Sequence, residues 1–226
     1  MTGVTTTKQP RQFQWHGLRV PYVALWSGER EQMAPMARMV GGEWGNERIG
    51  YTDELPADRR QETLWVRYSA SPGSGTPNLA LMHPLRQRRA MEHMLCQVCG
   101  RSTYDDGFRR WGDRHLFIRR DPENLPISDG ELTTTPPVCE PCAIESARSC
   151  PHLRRGYTAA LVEYAQPWGV SGFVYDAALK RDPAVTSIPY TDHRIRWVQA
   201  RRDIATLHGC TPISLDDLAT YESAGV

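Results

Sequence analysis

Six cysteines stand at positions 96, 99, 139, 142, 150 and 210, and four of them form two C-x-x-C units, Cys96-Gln97-Val98-Cys99 and Cys139-Glu140-Pro141-Cys142. A two-residue spacer lets both thiolates of one turn reach the same ion at about 2.3 Å, and two such turns complete the tetrahedron that zinc prefers. Gly100 follows the first pair, where the backbone folds tightly and glycine tolerates positive φ. Cys96, Cys99, Cys139 and Cys142 are therefore the expected ligands of one Zn²⁺. Such a closed site has no open position for water, so its expected role is structural and Lewis-acid catalysis is not implied. Disulfides and redox chemistry compete for the same residues. Disulfides are disfavoured without an export signal, and a thioredoxin-like C-x-x-C is expected once, in a strand-to-helix setting.

Other reactive residues carry weaker patterns. On a helix continuing from Cys142, Cys150 would lie about 12 Å along the axis, too far for the same ion. Cys150 and the nearby His152 are expected outside the site. Cys210 invites a thiol nucleophile with His208 or His193 as base, but no family signature surrounds it. Trp197, Ala200, Ile204 and Leu207 instead fit one face of a helix ended by Gly209. Tyr190 to Arg194 reads as a surface segment.

The elements that must position the thiolates follow from flanking patterns. A helix is expected from Pro84, with Met91, Met94 and Leu95 on one face and Arg86 and Arg89 turned to water, delivering the chain to Cys96. The 39 residues between Cys99 and Cys139 exceed the common ribbon spacing of about 15–20, and an inserted hairpin accounts for the excess. Its strands would come from Phe108 to Arg120 and Glu131 to Thr135, with a turn at Asp121-Pro122-Glu123-Asn124. A second helix is expected from Glu140 to about Ser149, with Pro141 in its first turn.

A C-x-x-C knuckle, a hairpin and a second C-x-x-C opening a helix resembles the treble-clef group of zinc folds, over about 55 residues from Cys96 to Cys150. The resemblance implies the metal site and no particular activity. Treble clefs include the HNH nucleases, which this chain resembles in its two C-x-x-C pairs with His115 and Asn124 between them. That resemblance would make His115 the general base and Asp113 or His152 its metal partner. The chain departs from the HNH pattern: His115 follows Arg114, Asn124 lies 15 positions before Cys139, and Ala143 follows Cys142.

The whole chain of 226 residues has a formal net charge of +1, which excludes a wholly basic nucleic-acid coat or an acidic tail. Apolar residues at 40% and charged residues at 23% suit a soluble globular protein. Met1 to Lys8 lack the apolar core of a signal peptide, and no run approaches the roughly 18 apolar residues of a membrane span. The cytoplasm is the expected compartment. The near-neutral total hides a segregation, since residues 84–120 carry nine basic and four acidic groups and residues 121–226 carry nine and 14. Arg101, Arg109, Arg110 and Arg114 are the candidate anion-binding residues, with nucleic acid or an acidic protein surface as the expected partner. Pairing of the basic stretch with the acidic C-terminal third is the alternative use of this charge.

Leu18 to Trp26 reads as a strand interrupted by Pro21, Thr63 to Tyr68 as a strand, and Ser214-Leu215-Asp216-Asp217 as a capping-box variant opening a last helix through Tyr221. Trp15, Trp26, Trp44 and Trp65 are expected in the core. No G-x-G-x-x-G in a strand-to-helix context and no G-K-[ST] is present, so nucleotide-binding loops lack a warrant. The expected fold is α+β, with mixed strands and helices around a central treble-clef-like zinc module. Its regions are a flexible arm (1–14), a strand-rich part (15–83), the zinc-binding module (84–155) and a C-terminal α/β segment (156–226). The expected function is a zinc-stabilised binding or regulatory protein; an HNH-like metal-dependent nuclease or other enzyme of unknown reaction, and a structural or assembly protein, are the alternatives.

Overall fold

The structure is a computed structural model and describes residues 9–40 and 47–218. The N-terminal part is built of short strands: β1 (Phe13–Trp15), β2 (Leu18–Val20), β3 (Ala24–Trp26), β4 (Met36–Val40), β5 (Glu47–Tyr51), β6 (Arg59–Arg60), β7 (Thr63–Trp65) and β8 (Pro77–Met82). Then come α1 (Pro84–Glu92), α2 (Asp106–Arg110), β9 (His115–Arg120), β10 (Leu132–Thr133) and α3 (Glu140–Ser149). The chain continues with β11 (Tyr157–Val162), β12 (Tyr164–Tyr175), β13 (Arg181–Pro189), β14 (Val198–His208) and β15 (Thr211–Pro212). Strands and helices are both present and strands dominate. Among the described residues no helix is long and apolar enough to cross a membrane. Trp44 and the end of the expected last helix lie outside the described residues. That helix does begin as expected: residues 215–218 are helical, and Ser214 Oγ accepts the Asp216 N–H at 3.1 Å.

Two sheets matter for the site. In the larger, β13-β12-β14-β7-β6 run side by side and β10 adds to β14; in the smaller, β11 lies between β15 and β9. Strand β9 is buried on both faces, which is why His115-Leu116-Phe117-Ile118 reads as an unbroken apolar run. Leu116 and Ile118 pack with the cysteines, whereas Phe117 packs with Ala160, Val162 and Leu207.

Four expectations are corrected. Trp15, at the end of β1, is 36% exposed and lies outside the core. The segment Trp197 to Leu207 is not a helix: it is the end of a 3-10 turn followed by β14, paired with β12. Register skips Arg201, because Ala200 lies opposite Gly172 and Arg202 opposite Ser171. This bulge shifts the two-residue alternation, so that apolar spacings of three and four arise on a strand and imitate a helix. The hairpin between the cysteine pairs also does not form. Phe108 to Arg110 belong to α2, β9 pairs with β11, and the two-residue β10 pairs with β14. A strand buried on both faces needs a long partner, and β11 offers six paired positions. Finally, Arg86 does not face water. It is buried, and its guanidinium meets Glu29 Oε1 at 2.5 Å and Oε2 at 2.7 Å and Ala24 O at 2.5 Å. Helical periodicity cannot register a carboxylate 57 positions away.

Candidate metal centre

The first pair sits in a knuckle shaped by its own backbone. Gly100 adopts φ +71°, its N–H reaches Cys96 O at 2.8 Å, and a Cβ there would come within 2.7 Å of the Tyr22 ring. The N–H groups of Val98 and Cys99 both point at Cys96 Sγ, each at 3.4 Å. These donors favour a thiolate over a thiol at Cys96.

The second pair opens α3. Cys139 occupies the N-cap position, Pro141 lies in the first turn, and Cys142 follows three residues after Cys139 on the same face. The positive end of the helix dipole thus meets the sulfurs. Short backbone links bring the halves together: Gln97 N–H donates to Pro137 O at 2.9 Å and Val138 N–H to Leu116 O at 2.8 Å. Tyr22 and Val23 N–H groups bind the knuckle at Val98 O and Gln97 O, at 2.9 and 3.2 Å.

The result is a compact cluster in which the Sγ atoms of Cys96, Cys99, Cys139 and Cys142 all lie within 4.8 Å of one another. The four residues are 0%, 2%, 6% and 1% exposed, so no sulfur is left to solvent. The Sγ atoms of Cys99 and Cys139 are 3.7 Å apart. A tetrahedron with metal–sulfur bonds of about 2.3 Å has edges of roughly 3.8 Å, so the donor set fits a four-coordinate ion. Without a cation the thiols compete for protons. Hydrogen bonds from Cys139, Cys142 and Cys96 push Cys99 down, while Cys139, bonded to Cys142, Cys96 and Cys99, is pushed up. A divalent cation removes this conflict by taking all four as thiolates. All six cysteines are free of disulfides.

Two arginines face the sulfurs. Arg19 Nη1 donates to Cys142 Sγ at 3.4 Å, and its Nη2 pairs with Glu145 at 3.3 Å. Interaction with the Cys99 sulfur and its charge raises the pKa of Arg101, the exposed residue that follows the knuckle. Arg19 carried no signal in the sequence, because it lies on β2 and reaches the site only through the knuckle's contacts with the chain after it.

The four candidate anion-binding arginines are dispersed in role. Arg101, Arg109 and Arg110 are exposed, Arg109 pairs with Asp106 at 3.2 Å, and Arg110 pairs with Glu140 at 3.3 Å. Arg114 is half-buried and donates to Trp111 O at 2.7 Å and Thr211 Oγ1 at 3.1 Å. Elsewhere in the basic stretch Arg119 meets Asp121 at 2.6 Å and Glu131 at 3.1 Å. Part of the basic surplus is thus matched inside the fold by acidic residues of the C-terminal third.

Cys150 and His152 lie outside the cluster, as their spacing implied. Cys210 does not form an activated thiol: burial and the neighbouring Asp129 push it up to about 12, so it holds its proton at neutral pH. His115 is buried against Tyr104 and Phe108, with ring centroids at 4.7 and 4.6 Å. It belongs to no cluster of potential ligands: among the described residues, the four cysteines are the one group of three or more. Compared with protein-family models, with curated proteins and with solved structures, the chain finds no match in any of the three.

Proposed function

We propose that the chain is a zinc-stabilised cytoplasmic binding protein in which Cys96, Cys99, Cys139 and Cys142 hold a structural Zn²⁺ and the neighbouring arginines contact nucleic acid. The observation that carries this reading is the buried, tetrahedron-sized set of four sulfurs. Four thiolates suit zinc better than magnesium or calcium, which take oxygen ligands. Four thiolates around one divalent ion leave two excess negative charges, and Arg19 and Arg101 stand where such charge is relieved. With every ligand position filled by protein, the ion would serve folding. The knuckle and the ligand-bearing helix are the two parts that keep a treble-clef-like reading for residues 96–150. Six free cysteines suit a reducing compartment.

Nucleic acid is favoured because Arg101, Arg109 and Arg110 are exposed on the knuckle and on the adjacent α2. Metal analysis of purified protein should return one zinc per chain. Anisotropy titrations with labelled single-stranded and duplex oligonucleotides should show affinity falling steeply with salt, because phosphate binding releases counterions. An Arg101→Ala/Arg109→Ala variant should bind more weakly with a shallower salt slope. No binding, or binding indifferent to salt, excludes the nucleic-acid reading and leaves an acidic protein surface as the partner to test.

A further inference from the structure

A second feature owes nothing to the metal. A cavity of about 330 Å³ lies between α1, β9 and the β12–β14 pair, and His115 lines it. Its volume is at the small end of ligand sites, which run about 300–1,000 Å³. Met91, Met94 and Phe117 give it apolar walls, and Tyr104 and Phe108 add flat aromatic surface.

The tautomer of His115 follows from hydrogen-bond bookkeeping. Its Nδ1 is 2.8 Å from Thr103 Oγ1, and Thr103 Oγ1 also lies 2.8 Å from the carbonyl of Met94. A carbonyl can only accept, so the single hydroxyl proton goes to Met94, and Nδ1 must carry the hydrogen it gives to Thr103. Nε2 is left as a lone-pair acceptor. No described residue donates to it, although His115 is only 5% exposed. Thr103, which holds Nδ1, is not part of the cavity wall, whereas His115 is. Burial holds the imidazole neutral, its pKa down to about 4.

The other polar groups narrow the ligand. Among the described residues the one cation on the wall, Arg60, is already matched by Asp203 at 3.1 Å and Glu92 at 3.5 Å. Asp203 further accepts the Tyr190 hydroxyl at 3.0 Å. Glu163 adds a third carboxylate, so among the described residues the wall offers acceptors and no spare positive charge, which disfavours anions and favours a flat molecule that donates hydrogen bonds.

We infer that this cavity binds a planar nitrogen heterocycle of purine size that carries no negative charge, donates an N–H to His115 Nε2 and lays its ring against the aromatic and thioether walls. A free base and a base within a nucleic-acid strand share this chemistry, and the test separates the two sources. Calorimetric titration of the full chain would use adenine, adenosine and a short oligodeoxyadenylate, with benzoate as an anionic aromatic of similar flatness. Adenine should bind and benzoate should not. His115→Asn keeps a donor for Thr103 and removes the Nε2 acceptor, and should weaken adenine binding about tenfold, the usual worth of one hydrogen bond. His115→Gln places an amide oxygen near the Nε2 position and should restore part of that loss. Tyr164→Ala removes an exposed wall residue with little risk to folding and should also weaken binding. Binding by adenine alone assigns a free base, whereas oligodeoxyadenylate binding with the same dependence on His115 assigns a base within a strand. Failure of all three adenine probes, benzoate binding as tightly as adenine, or wild-type affinity in both His115→Asn and Tyr164→Ala overturns the inference.

Discussion

Replacing one ligand tests the metal reading most directly. Cys99 is 2% exposed, and its sulfur touches that of Cys139 at 3.7 Å within a set whose members all lie within 4.8 Å. Structural zinc binds finger-type sites with about 10–16 kcal/mol, so each of four equal thiolates carries about 2.5–4 kcal/mol. Cys99→Ser should therefore weaken zinc affinity by roughly two to three orders of magnitude, at about 1.4 kcal/mol per decade. The buried hydroxyl left behind adds a further penalty of about 1–3 kcal/mol if it finds no partner. Competition against a chromogenic chelator gives the affinity, and melting with and without EDTA gives the linked stability. The wild-type midpoint should fall on chelation, and the variant should already melt near the chelated value. Cys150→Ser, outside the cluster, should leave both readings unchanged. Wild-type zinc affinity and stoichiometry in Cys99→Ser would refute the ligand assignment, and so would metal loss on changing Cys150 instead.

Three further outcomes follow from buried groups. Arg86→Met strands the Glu29 carboxylate, whose side chain is 0% exposed, leaving it the N–H groups of Trp26 and Ser71, with His83 Nε2 farther off at 3.8 Å, and should destabilise the fold by about 3–5 kcal/mol. Burial acts to raise the Glu29 pKa, but the Arg86 hydrogen bond, the Trp26 N–H and the Arg86 charge outweigh it and hold the value low. A lowered folded pKa means the stabilisation is present above the unfolded value of about 4.3 and is lost as pH falls through the folded one. The deficit of Arg86→Met, measured by urea unfolding across pH, should thus be largest at neutral pH and shrink in acid; a constant deficit contradicts the pairing. Gln87→Ala removes an amide that accepts from Asp203 N–H at 2.9 Å and donates to Asp203 O and Thr134 O at 2.9 and 2.8 Å, and should cost about 2–4 kcal/mol in chemical unfolding. A loss under about 1 kcal/mol would show that water replaces these bonds. Gly172→Ala would drive a Cβ into Gln199 O and within 2.8 Å of Ala200 Cα, both backbone, and should lower stability by about 2 kcal/mol or more in the same assay.

The cysteine site was legible in the sequence because its geometry is mostly local. Two residues between thiols, a glycine after the first pair and a proline inside the second are enough to shape a turn and a helix start, and α3 begins and ends where the pattern places it. What the same pattern could not convey was how the 39 residues between the pairs are used. Leu116 and Ile118 look like half of a hairpin, yet their partner β11 comes after the second pair. Charge was legible as arithmetic and not as a surface. Arg86 and Arg119 count toward the basic stretch, but Glu29, Asp121 and Glu131 absorb them.

Composition and spacing by themselves determined which four cysteines cluster, the helix that carries two of them, and a mixture of strands and helices. Tertiary structure alone decided which strands pair, where β14 bulges, and that Arg19 comes to lie beside Cys142. It alone gave His115 a neutral ring with a free Nε2, since that state depends on Thr103 and Met94 meeting it across a turn and on a cavity closed by strands far along the chain. The physical reason is range. Ligand spacing, capping and turn chemistry act over a few residues, whereas strand pairing, burial of charge and proton placement depend on groups that only the finished fold brings within a few ångströms.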